Sequence, residues 1–226
     1  MTVIYIIAAL FVAIVICVMS GTKRPWIAQF AFAALAISSV ATASKLTPIT
    51  DGVYVSAAIG LYSMTFMLAN YLREVYGKSF AVQAIWMGFI GELLFLFATQ
   101  FTLAVPAAPF WSNQGAFEAV YSMTPRLMAA SVLAYVAAEF TDVNVFHAVR
   151  RLTGGRHLWL RNNVGTIGGQ FVDSVIFYTI AFYGIVPNLV SLIVTTIIVK
   201  TVIAVVDTPA IYLVRYIALG KEKAEA

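Results

Sequence analysis

The sequence predicts an all-α fold, a polytopic transmembrane helical bundle of about seven spans, six plus one at the N-terminus. Three observations predict it. The 226 residues are 62% hydrophobic and only 11% charged, with a mean hydropathy of +0.91. A soluble domain is about 45–50% apolar and about 25% charged, so lipid is the solvent for most of this chain. Apolar runs near the length of about 20 residues that a span needs recur from end to end. The basic residues gather after alternate runs.

Residues 3–20 form the first run. A secretory leader carries positive charge ahead of its apolar stretch, whereas here the first basic residue is Lys23, after it. The run therefore reads as a retained span. Further spans fall at 26–44, 53–72, 79–105, 127–147, 164–186 and 188–214, within one transmembrane domain over 1–226. Breaker residues separate them: Gly21 and Pro25, Pro48, Gly77, Pro106 and Pro109, Gly154 and Gly155, and Gly184 and Pro187.

Charge sets the orientation. Lys23 and Arg24 follow span one, and Arg73 and Lys78 follow span three. Arg150, Arg151, Arg156 and Arg161 follow span five, and Arg215, Lys221 and Lys223 follow span seven. Only Lys45 and Arg126 lie at the other side, and Lys200 lies inside span seven. Positive residues favour the cytoplasmic side, so the N-terminus is expected outside and the C-terminus inside the cell membrane. The net charge of +4 suits basic cytoplasmic loops and calls for no nucleic-acid partner. Spans 2–4 and 5–7 would run in opposite senses, the geometry of an inverted 3+3 repeat. Between spans four and five, residues 106–124 carry Phe110, Trp111, Phe117 and Tyr121, either an interfacial aromatic belt or a lid.

Ionisable groups near the bilayer midplane cost at least about 2.5–3.5 kcal/mol each and face the bundle interior. Glu92 falls near the centre of span four, Asp173 of span six and Lys200 of span seven, with Asp207 two turns on. Glu139 and Asp142 lie toward the inner end of span five. Asn163, Thr166, Gln170, Asp173 and Phe177 share one face of span six. Thr196, Lys200 and Asp207 share one in span seven, Ser38, Thr42 and Lys45 one in span two, and Ser63, Met67, Asn70 and Glu74 one in span three. Converging stripes of this kind build a polar cavity. The bland alternative is that Lys200 neutralises Asp173 or Glu92 in a buried pair that only fixes packing. Gly165 and Gly169 likewise read first as a helix-contact face.

Enzyme chemistry fits poorly. The histidines are His147 and His157, with no paired zinc motif, nucleophile elbow or phosphate loop. Cys17 stands alone, which excludes a disulfide framework and a cysteine metal site. No metal or cofactor is expected. An intramembrane hydrolase built on an aspartate pair stays open as an alternative, as does a structural or assembly membrane protein.

Two segments are more specific than composition. One is Asn70-Tyr-Leu-Arg-Glu-Val-Tyr-Gly-Lys78. The other is Leu158-Trp-Leu-Arg-Asn-Asn-Val-Gly-Thr-Ile-Gly-Gly-Gln-Phe-Val-Asp-Ser-Val-Ile-Phe177. Together they resemble the queuosine precursor transporter family, also called the vitamin uptake transporter family. The likeness extends over roughly 26–215, through Asp142 to Lys200 and Asp207-Thr-Pro209. The chain departs from the family pattern at Asn70, where Asp is usual, at Arg73, where Thr is commoner, and at Gly165, where Ser is frequent.

The resemblance implies import of a purine-like solute, a 7-deazaguanine precursor of a modified tRNA base such as 7-cyano-7-deazaguanine or its 7-aminomethyl relative. Carboxylates such as Glu92 and Asp173 accept hydrogen bonds from a guanine-like edge, Gln170 and Asn163 offer amides, and Phe177 or Trp86 can stack. Lys200 completes the expected binding set. Lys45, Asn70, Glu74, Asp142, Arg161, Asn162 and Asp207 are the expected gating or coupling groups. The expected partners are that solute and the bilayer, with a homodimer left open. The runner-up reading is the substrate-binding membrane subunit of an energised vitamin importer.

Overall fold

The computed structural model describes residues 2–21, 23–50, 52–154 and 158–219. Side chains at 2–3, 139, 142–143, 146–147, 150, 158–163, 165–166, 204 and 206–219 fall outside the described set. In chain order the elements are α1 (Thr2–Ser20), α2 (Pro25–Thr42), β1 (Leu46–Thr50), β2 (Val53–Ser56), α3 (Ile59–Val75), α4 (Lys78–Ala104), α5 (Gln114–Tyr121), α6 (Thr124–Leu152), α7 (Leu158–Phe182) and α8 (Leu189–Leu219). This is a helical membrane protein. Helices α2 and α4, 18 and 27 residues long, are long and apolar enough to cross a bilayer. Large apolar side chains of α4, among them Trp86, Ile90, Leu94, Phe97 and Phe101, stand exposed, as a lipid-facing helix requires.

The chain forms two compact units, residues 1–124 with 202–226, and residues 125–201. In the first, α3 packs against α1, α2 and α4, with nine of its residues buried. Its Met64, Met67, Leu68, Tyr71 and Leu72 meet Ala9, Ala13 and Cys17 of α1 in one buried cluster. The fourfold spacing of those small α1 residues keeps one narrow face toward α3, so the backbones approach closely. Gly60 of α3 serves the same approach, since a Cβ there would lie 2.7 Å from Cε1 of Tyr5. Gly60→Ala is therefore expected to cost about 1 kcal/mol, because it displaces a ring end that is partly exposed and able to move. In a Tyr5→Leu background the cost should largely vanish, and thermal melting of the four variants checks the coupling.

The two corners at one end of this unit, α1 to α2 and α3 to α4, are tied together. Helix α1 ends at Gly21, at φ 53°, and α3 ends before Gly77, at φ 97°. The Tyr71 hydroxyl donates to the Gly21 carbonyl, and the Tyr76 hydroxyl lies against the carbonyls of Ser20 and Gly21. Ser20 Oγ donates to the Arg24 carbonyl at 2.8 Å. The tyrosine bonds reach carbonyls at the end of α1, where helical donors run out. On α2 the buried Gln29 donates to the Phe80 carbonyl at 3.2 Å and to Gln83 Oε1 at 3.1 Å.

One element departs from the expected all-α pattern. The stretch read as the start of a span at residue 53 is a strand. Leu46 pairs with Ser56, Thr47 with Val55, Pro48 with Tyr54 and Thr50 with Val53, antiparallel, with an irregularity between Pro48 and Thr50. Val53, Tyr54 and Val55 favour extended backbone, and Gly52, at φ 76°, allows the turn. Ser56 then closes the hairpin and opens α3: its Oγ donates to the Ala43 carbonyl at 2.9 Å and accepts the Ala58 N–H at 3.2 Å.

Candidate functional site

The second unit is built on α6, α7 and the first part of α8. Helices α6 and α7 pack within van der Waals reach at Gly168, where a Cβ would lie 3.6 Å from a Val145 methyl of α6. Ala130 and Ala134 of α6 and Ala181 of α7 are fully buried. Close packing of this kind leaves a polar group inside the unit dependent on protein partners.

Asp173 and Lys200 supply those partners for each other. Lys200 Nζ donates to Asp173 Oδ2 at 2.8 Å and to Ser174 Oγ at 3.0 Å. Both members of the ion pair are buried, and Ser174 is fully so. One turn before Lys200, the fully buried Thr196 donates back to the Leu192 carbonyl at 2.8 Å. Apart, the two charges would each carry a heavy desolvation cost. Together they present a neutral, strongly dipolar couple with a hydroxyl attached.

Around it, Gln170 and Phe177 lie half-buried one turn to either side of Asp173 on α7. The Phe177 ring meets Tyr178 edge-on, with centroids 5.2 Å apart, and Tyr178 stacks on Phe182 at 5.6 Å. An acidic group, an ammonium, a hydroxyl, an amide and an aromatic ring thus share a short stretch of two helices. Such a set can bind a flat polar solute by its edge and face.

Of the remaining expected site residues, Glu92 lies half-buried on α4, in the first unit. Lys45 is exposed at the foot of the hairpin, where its carbonyl accepts the Ala57 N–H at 2.7 Å. Asn70 is half-buried and Glu74 exposed, one turn apart at the end of α3. The side chains of Asn163, Asp142, Arg161, Asn162 and Asp207 lie outside the described residues.

Two contributors escape a reading by spacing. Ser174 sits directly after Asp173 and so off its polar stripe. Arg126 spans from α6 to α7, with Nε on the Ile180 carbonyl and Nη2 on the Tyr183 carbonyl, each at 2.6 Å. Its one visible sign in the sequence is a basic residue at the start of an expected span, on the side where few basic residues are expected.

Residues 56–214 match the model of a family described as putative vitamin uptake transporter. The chain belongs to that family. As one of its transporters, it is a membrane protein that moves a small-molecule solute, and not an enzyme. It is 34% identical over 155 residues to a probable queuosine precursor transporter of Bacillus subtilis (strain 168), an alignment covering 67% of this chain and 68% of that protein. It is 25% identical over 122 residues to the queuosine precursor transporter of Escherichia coli (strain K12), covering 54% of this chain and 52% of that protein. No solved structure matches the transporter. The matched region holds Asp173, Ser174 and Lys200, whereas α1 and β1 precede it.

Proposed function

We propose that this transporter imports a 7-deazaguanine precursor of queuosine, 7-cyano-7-deazaguanine or 7-aminomethyl-7-deazaguanine, across the cell membrane by alternating access. The observation that carries the reading is the buried couple of Asp173 with Lys200 and Ser174. The names of the two bacterial relatives support the solute class. A guanine-like edge presents a ring N–H and an exocyclic amino group side by side, and a carboxylate accepts both. Asp173 is the acceptor and Lys200 the cation that exchanges with the solute. Gln170, Asn163 and Phe177 complete the expected binding set, and Glu92 binds the solute or carries a coupling proton. Lys45, Asn70, Glu74, Asp142, Arg161, Asn162 and Asp207 gate or couple the two faces. The N-terminus is outside and the C-terminus cytoplasmic.

Purified chain in proteoliposomes should accumulate labelled 7-cyano-7-deazaguanine above empty vesicles, and excess unlabelled solute should abolish the signal. Uptake by the chain alone would also dispose of the reading as a subunit that needs an ATPase. Folded protein that neither transports a deazaguanine nor gains thermal stability from one would remove the proposal.

A further inference from the structure

Where α1 turns into α2 and α3 turns into α4, four cations stand at one end of the first unit. Lys23 and Arg24 lie in the first corner, Arg73 and Lys78 in the second, and all four are exposed. The corners are held against each other by the Tyr71 and Tyr76 hydroxyls on the carbonyls of Ser20 and Gly21. Among the described residues none of the four makes a salt bridge. Glu74, also exposed, offsets one of the four charges. Beside them the helix starts add to the positive field: α2 and α4 have no acidic residue in the first turn and no side-chain cap. In the adjoining last turn of α1 and first turn of α2, Met19 and Trp26 expose large apolar surfaces, 60% and 64% accessible. A cationic layer over an apolar one is the chemistry of a phospholipid, head group first and acyl chain behind.

We propose that this double corner is a binding surface for anionic phospholipid, whose phosphate lies between Lys23–Arg24 and Arg73–Lys78 and whose acyl chain runs along Trp26. The four cations lie at helix ends, and none of them is among the residues proposed to bind the solute or to gate its path. Lipid bound there ties the two corners together, adding to the tyrosine bonds.

The test uses the full chain in detergent, titrated with phosphatidylglycerol or with phosphatidylcholine of the same acyl chains and read by native mass spectrometry. Wild-type protein should bind the anionic lipid about tenfold more tightly, since each basic residue near such a head group contributes about fivefold at most. The variant Lys23→Gln/Arg24→Gln/Arg73→Gln/Lys78→Gln should lose the preference. Arg151→Gln, at an exposed cation of the second unit, should keep it. If the fourfold variant does not fold, the pairs Lys23→Gln/Arg24→Gln and Arg73→Gln/Lys78→Gln should each weaken the preference severalfold. Equal binding of the two lipids by wild type, an unchanged preference in the corner variants, or displacement of the lipid by millimolar inorganic phosphate would each overturn the proposal.

Discussion

Lys200→Met is expected to abolish uptake and to lower the melting temperature on the order of 10 °C, while Asp173→Asn/Lys200→Met restores the melting temperature but not uptake. Removing the ammonium alone leaves the Asp173 carboxylate buried with Ser174 and without its counter-charge at 2.8 Å. Breaking a buried pair in this way costs about 3–5 kcal/mol. Neutralising both members takes away the charge that needed compensation, and such double replacements are often neutral in stability. Stability and transport therefore separate in the double variant. If the pair served packing only, the double variant would transport at the wild-type rate. If Asp173 accepts the solute's donors, the double variant is folded and inactive, because the carboxylate is gone. Melting in detergent and uptake in proteoliposomes read the two properties independently. A reversed pair, Asp173→Lys/Lys200→Asp, adds a control: it keeps the opposite charges but moves the acceptor to α8, and it should also fail to transport.

The long helices are legible because hydropathy is a sum over many residues. The apolar run at 79–105 marks the helix Lys78–Ala104 whatever single positions do. The hairpin is hidden for the same reason: Val53, Tyr54 and Val55 prolong the apolar signal of α3, and four residues of β2 are too few for alternation to stand out. Family membership is legible in the stretches 70–78 and 158–177, where unusual polar residues interrupt apolar helix. The site is legible only in part. Asp173 and Lys200 announce themselves as charges in apolar surroundings, but which carboxylate takes Lys200 depends on how α7 and α8 are set in register. No spacing within one helix contains that relation, so Glu92 and Asp173 are equivalent candidates until coordinates distinguish them. Ser174 shows the limit of stripe counting, since the lysine reaches past the stripe to the next residue.

Arg126→Ala should be the most damaging single change at the opposite end of the second unit, costing about 2 kcal/mol. Helix α7 ends at Phe182, and its final carbonyls have no helical donors. Backbone bonds answer some of that need, with Tyr183 N–H on the Thr179 carbonyl at 3.1 Å and Ile185 N–H on the Phe182 carbonyl at 3.0 Å. Gly184, at φ 79°, makes the reversal possible. Arg126 answers the rest, as its two nitrogens reach the Ile180 and Tyr183 carbonyls at once and bring a positive charge to the negative end of the helix dipole. Each such bond is worth about 1.5–3 kcal/mol when shielded, and the exposure of the Tyr183 contact reduces the sum. A lysine supplies one point charge and no planar fork, so Arg126→Lys should recover less than half of the loss. Local bonding thereby gives the basic residue at position 126 a reason to be there. Because Asp173 lies two turns from Ile180 on the same helix, loosening this end should also raise the solute concentration needed for half-maximal uptake. Amide exchange over 179–186 and melting temperature test the clasp directly. An alanine variant that melts like wild type, or a lysine that replaces arginine fully, would show that the fork carries no load.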